Sequence, residues 1–258
     1  MGEAARNKST AKLRVLDGSS TKEKRIKADG TVDKRYYNTN TRTKGTSSEV
    51  YFLDRNEIEL VKNRLLYNIE NATTPTNELM NRRNYALFCM GINVGLRISD
   101  LIKLTWGDIF DKRWDFKDFA SLRPKKTERF NKYVTIGFND SFKTAALEYK
   151  NNVTRLRDLP ALSDYIFFGK MDYYEPIDEK HAYAIIKKNA IDAGVKKNVG
   201  THSLRKTFGH NFYMEAKDKA YALRMLQEWF KHETPDTTLR YIGCTLDELL
   251  NFANSVNL

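Results

Sequence analysis

At 258 residues and 30.0 kDa, the chain has room for one large domain or for a domain with an appendage. Hydrophobic residues make up 41%, enough for a real core and too many for wholesale disorder. The longest apolar stretch, Tyr85 to Ile92, falls far short of a bilayer span, and the opening MGEAARNKSTAK lacks the apolar core of a signal peptide. Two cysteines, Cys89 and Cys244, cannot build a disulfide framework or a four-ligand zinc site. These features predict a soluble, cytoplasmic protein. A formal charge of +11 and a sequence pI near 9.4 point to a polyanionic partner, either nucleic acid or an anionic surface.

The surplus begins at the N-terminus. Residues 1–50 hold twelve Lys/Arg against six Asp/Glu and are rich in Ser, Thr, Gly and Asn. Their few large apolar residues, among them Leu13, Val15, Ile26 and Tyr36, follow no helical or alternating period. This reads as a basic, low-hydrophobicity arm, unfolded when alone. A domain is expected over 51–258.

Asp54 with Glu57 three residues on is a capping-box pattern, and Ile58, Val61, Leu65 and Ile69 continue at helical spacing. Pro75 suits the first turn of a second helix, which carries Leu79, Leu87, Phe88 and Met90 and stops at Gly95. Cys89 lies within this run as a core thiol. The stretches Phe116–Leu122 and Phe130–Ile136 read as two strands, joined through Arg123–Arg129 into a hairpin with a basic tip. Helical patterns follow at 140–158, 178–193, 202–216 and 218–230. Thr245 with Glu248 forms another capping box before an amphipathic stretch with Leu246, Leu249, Leu250 and Ala253, which either folds back on its own body or docks into a neighbouring protomer. The fold class expected is α+β, mainly α, with one small antiparallel sheet.

Three segments carry chemistry. In Gly95–Leu101 (GLRISDL), Arg97 sits on a turn between helices with Asp100 three residues on. In Thr201–Arg205 (THSLR), Thr201 can cap a helix whose first turn places His202 and Arg205 on one face, beside free N–H groups and the positive end of the helix dipole. In Lys231–Tyr241 (KHETPDTTLRY), a helix end, a turn at Thr234-Pro235 and a short helix would expose Tyr241. Each fragment alone is weak, and a tyrosine is ordinarily a packing residue. Asp108, Asp111, Asp115 and Asp118 sit among Lys112, Arg113 and Lys117 and read as a charge-balanced surface, not a magnesium site. His181 and His210 are expected on a helix surface and in packing, Trp229 as a core anchor, and Cys244 without a role.

Taken in order, these segments resemble the tyrosine recombinase family of phage and mobile-element integrases. The resemblance covers about residues 51–258. It implies a first catalytic arginine at Arg97 with Asp100 as its supporting acid, a His-x-x-Arg box at His202 and Arg205, His232 at the His/Trp position, and Tyr241 as nucleophile. It also implies a hairpin lysine, Lys126, with Lys125 as the competitor. The box usually reads Gly-His and here reads Lys231-His232, a departure expected to change turn geometry and not roles. Family members usually carry an upstream helical domain that clamps DNA. The fifty residues upstream here have too few apolar groups to build one, so the chain is expected to be a minimal recombinase or a piece of a longer one.

The implied activity is site-specific recombination through a 3′-phosphotyrosine intermediate, with no cofactor and no metal. Implied partners are double-stranded DNA, further copies of the chain exchanging the 243–258 segment, and a DNA-bending accessory protein. The chemistry is self-consistent. A phenol attacking a phosphodiester needs cations for the transition-state oxygens, a proton acceptor, and an acid for the leaving oxygen. Two other readings share the fold: an inactive DNA-binding regulator and a relaxing enzyme of type IB topoisomerase kind.

Overall fold

The computed structural model describes residues 49–122, 133–169 and 175–244, all within the second of the chain's two units, Glu49–Leu258. The 1–50 arm up to Ser48, the hairpin tip with Lys125 and Lys126, and the tail from Thr245 lie outside the described residues.

Helix α1 (Arg55–Glu70) opens on the expected capping box, Asp54 accepting from the Glu57 amide at 2.9 Å and Glu57 from the Asp54 amide at 3.0 Å. Its buried stripe is Ile58, Val61, Leu65 and Ile69. Helix α2 (Pro75–Val94) is capped by Thr74, begins on Pro75 and ends at Gly95 in the left-handed region, φ 64°. Its C-terminal half is buried almost all round, as a helix must be when it packs against α1, α5 (Asp140–Leu156) and α7 (Thr201–Glu215). Desolvation pushes the Cys89 thiol up to about 11, so it behaves as a small apolar side chain.

Two one-turn helices, α3 (Ile98–Leu101) and α4 (Trp106–Ile109), follow. Asp108 caps α4 through the Thr105 amide at 2.7 Å, and Asp111 accepts from the amides of Arg113 and Asp115. These carboxylates therefore serve the backbone. Trp106, Phe110, Trp114 and Tyr149 form an aromatic cluster beneath.

Strands β1 (Phe119–Leu122) and β2 (Val134–Gly137) pair antiparallel, with Ala120 opposite Ile136 and both buried. The first strand is shorter than its pattern suggested. Phe116 makes only an isolated bridge to Phe110, because the chain there turns around the aromatic cluster. Helix α6 (Glu179–Asp192) has Asp178 at its N-cap, and α7 follows. The capping assignment at α7 is corrected. Gly200 is the N-cap and Thr201 the first helical residue, while Ser203 Oγ accepts from the Gly200 amide at 3.1 Å.

Most buried apolar residues form one cluster, and a second, with Tyr213, Ala222, Leu226, Phe230, Ile242 and Cys244, joins α7 to α8 (Lys219–Phe230) and α9 (Pro235–Ile242). Trp229 packs against both clusters, as an anchor should. Close approach of these helices depends on Gly209. A Cβ there would meet Ile242 Cγ2 at 2.7 Å and the Phe230 ring at 2.8 Å, both fully buried. Overpacking a core usually costs about 1–3 kcal/mol. Gly209→Val is expected to lower unfolding free energy by roughly 2 kcal/mol in denaturant titrations. An unchanged midpoint would mean that α9 is not seated on α7 as described.

Candidate active site

The three segments singled out in the sequence meet around Arg205. This side chain is 5% exposed. One Nη donates to the carbonyl of Gly95 at 2.5 Å and the other to the carbonyl of Phe230 at 3.3 Å. The guanidinium carbon also lies 4.2 Å from the centroid of the Phe230 ring. Gly95 caps α2 and Phe230 is the last residue of α8, so two helix C-termini turn their partial negative charge on one cation.

Burial lowers the Arg205 pKa to about 10, with the charge of Arg97 acting the same way and Tyr241 and Asp100 opposing it. Arg205 therefore stays charged at neutral pH. Arg97 precedes α3 in an extended conformation. Among the described residues it makes no ion pair, and its charge lowers the pKa of Arg205, His202 and His232. Two arginines in mutual repulsion make a site suited to an anion. Asp100, on α3, acts electrostatically on Arg205.

Tyr241, on the last turn of α9, is half-buried where the sequence suggested exposure. Phe230 and His232 meet its ring edge-on at 5.4 and 5.1 Å between centroids. His202 Nδ1 lies 3.4 Å from the phenol oxygen. Desolvation raises the Tyr241 pKa, while Arg205 and Arg97 pull it down. For His202 every cause points one way: desolvation, then Arg205, Arg97 and Lys206, all lowering its pKa and keeping it neutral. His232 is lowered by desolvation and both arginines. Its Nδ1 is held 3.1 Å from the hydroxyl of the buried Thr238.

The structure thus brings Arg97, Asp100, His202, Arg205, His232 and Tyr241 into one neighbourhood. Lys126 and Lys125 fall outside the described residues. His181 and His210 lie elsewhere, the latter stacked on Phe52 at 3.6 Å with Cys244 Sγ nearby. Sequence reasoning did not single out Lys206, whose Nζ lies 5.5 Å from the Tyr241 ring centroid. No pattern in the sequence distinguishes it from the other lysines.

Residues 63–245 match the phage integrase family. The chain belongs to that family. It is similar to the probable integrase/recombinase YoeC of Bacillus subtilis (strain 168), 34% identical over 167 residues, 65% of this chain and 81% of YoeC. It is also similar to the tyrosine recombinase XerC of Thermodesulfovibrio yellowstonii, 28% identical over 173 residues, 66% of this chain and 52% of that protein. Among solved structures, XerH site-specific recombinase bound to its palindromic difH substrate, a post-cleavage complex, matches with TM-score 0.57 and 18% identity, over 80% of this chain and 53% of that one. This chain therefore spans about half the length of those last two proteins. Family, relatives and fold make the described region a tyrosine recombinase catalytic domain, mainly helical with a small antiparallel sheet.

The Lys231-His232 departure has a physical reading. Lys231 closes α8 in the left-handed conformation, φ 55°, which a side chain disfavours and glycine does not. Its side chain, paired with the exposed Glu228, offsets little of that strain. Lys231→Gly is expected to raise stability by about 1 kcal/mol, read as a higher denaturation midpoint. A lower midpoint would show that the lysine side chain is what holds the turn.

Proposed function

We propose that the chain cleaves and rejoins double-stranded DNA as a site-specific recombinase, through a covalent 3′-phosphotyrosine link at Tyr241. The observation that carries the reading is the convergence of Arg97 and Arg205 on the phenol that also faces His202. A scissile phosphate between the arginines would have its non-bridging oxygens bound by forked donors that remain charged throughout the reaction. Tyr241 Oη then attacks phosphorus, its proton passing to the unprotonated Nδ1 of neutral His202, and the bond from phosphorus to the 5′-oxygen breaks. Lys126, with Lys125 as the competitor, protonates the departing 5′-oxygen. His232, oriented by Thr238, donates to the phosphate, and Asp100 orients Arg205 without transferring a proton. The phosphotyrosine bond keeps the energy of the broken linkage, so a 5′-hydroxyl can reverse the attack.

Competent residues at every described position speak against a regulator that has lost catalysis. Assembly of several copies on DNA through the 243–258 segment, aided by a DNA-bending protein, belongs to the same proposal and rests on the resemblance.

A pool of nicked duplexes with randomised sequence tests the reading and finds the site together. The nick lets the 5′ fragment escape and traps the covalent complex. Wild-type protein is expected to give an adduct on denaturing gels, Tyr241→Phe none, and Arg97→Ala a rate lower by about 10²–10³. An adduct that persists in Tyr241→Phe would remove the tyrosine from its assigned role. On a 5′-bridging phosphorothiolate substrate, whose leaving sulfur needs no acid, only the variant lacking the true acid, Lys126→Ala or Lys125→Ala, should recover.

A further inference from the structure

Helix α7 meets Tyr241 at two successive turns. His202 lies 3.4 Å from the phenol oxygen, and Lys206, four residues on and so on the same face, stands over the ring. Lys206 is 9% exposed. Its ion-pair partner among the described residues is Glu49, 3.3 Å away and largely open to solvent. Burying an ammonium group costs several kcal/mol in general, and an apolar side chain would fill the position at lower cost. What the cation faces must account for its presence: the Tyr241 ring, the His202 imidazole one turn away, and Glu49.

We propose that Lys206 is a positioning residue for strand cleavage, holding the Tyr241 ring within reach of His202 and setting a positive charge against protonation of that imidazole. Glu49 sets how much of this charge is felt. The proposal deepens the reading of Tyr241 as nucleophile and His202 as proton acceptor, and rests on it.

The groups around His202 favour this arrangement. Arg205 from α7, Arg97 from the α2–α3 turn and Lys206 all oppose a charge on the ring, and no carboxylate acts on it directly. Asp100 acts on Arg205, and His232 flanks the other side of Tyr241. Glu49 reaches the imidazole through Lys206 alone. Nor is Glu49 loosely placed. Its carbonyl accepts from Asn198 Nδ2 at 3.1 Å, and the following backbone is tied to Asn198 O and to Thr207 Oγ1, next to Lys206.

The sign is definite. His202 must be neutral to take the phenol proton, and each nearby cation moves its protonation to lower pH. Without Lys206 the ring protonates at higher pH, so cleavage fails earlier as pH falls. Without the Glu49 carboxylate the lysine charge is unmasked, and the change runs the other way. A merely structural ion pair would behave differently, since breaking it from either end would affect His202 alike.

The full chain, free of DNA, can be titrated by NMR at the imidazole Cε1–H groups. There are four histidines, and the His202 signal is the one missing from His202→Gln. Lys206→Met, which keeps the aliphatic stem, is expected to raise the His202 midpoint. Lys206→Arg should restore it and Glu49→Gln lower it. The acid limb of adduct formation should move with the midpoint in each case. No shift in Lys206→Met, or shifts of the same sign in Lys206→Met and Glu49→Gln, would overturn the proposal. Should Lys206→Met not fold, the exposed Glu49→Gln decides: a downward shift supports the proposal and an unmoved midpoint overturns it. The titration needs no turnover, so its failure leaves the nucleophile assignment standing. Failure of that assignment would appear instead as an adduct surviving Tyr241→Phe.

Discussion

A single buried guanidinium organises this domain. Arg205 reaches from the N-terminal part of α7 to the carbonyls that close α2 and α8, two segments far apart in sequence. Helix C-termini leave carbonyls without intrahelical partners, and their dipoles favour a cation. One charge thus satisfies two helix ends at once, and the Phe230 ring covers one face of the guanidinium. Breaking such a network leaves orphaned carbonyls on both helices, so the geometry is held by more than packing. The cost of burying the arginine is met by the backbone and not by a paired carboxylate, which leaves its charge available to an incoming anion.

The tyrosine helix inherits its place from the same arrangement. Phe230 supplies the carbonyl for Arg205, and its ring packs edge-on against Tyr241. The turn that follows is fixed by the left-handed Lys231, by the His232 amide bonded to Gln227 O at 3.0 Å, and by Thr234 capping α9. Gly209 lets α9 lie close on α7, which sets the phenol beside His202. The phenol is therefore positioned by backbone and side-chain contacts among three helices, and small errors in any of them would carry to its oxygen.

Much of this was legible from residues alone. Capping boxes and apolar spacing marked α1 and α2, Gly95 marked the turn, and the order of Arg97, His202, Arg205, His232 and Tyr241 marked the family. The parts that escaped share a cause. Carbonyl acceptors carry no side-chain signature, so the partners of Arg205 were invisible. The cap of α7 was assigned to Thr201 because its hydroxyl is a good acceptor, yet Gly200 takes the position and Ser203 supplies the hydroxyl from within the helix. The sequence of the short α9 suggests an exposed Tyr241, whereas the residue is half-buried. Its burial comes from Phe230 and His232, which a linear reading places before the turn and not around the ring. Lys206 sits beside a recognised motif, and only the fold shows that it faces the tyrosine.

The electrostatics of the site are unbalanced by construction. Arg97, Arg205 and Lys206 crowd two histidines and a tyrosine, and among the described residues Asp100 acts on Arg205 and Glu49 on Lys206, answering only part of that charge. The imidazoles resist protonation, and the phenol is held between desolvation, which opposes ionisation, and the arginines, which favour it. An arriving phosphodiester would bring the missing negative charge. It would relieve the repulsion between the guanidinium groups and ease protonation of His202, the group proposed to accept the phenol proton. On this reading the site lowers its own electrostatic strain by binding the linkage it cleaves. In that proposal, the readiness of His202 to take up a proton is tied to the presence of the phosphate beside the arginines.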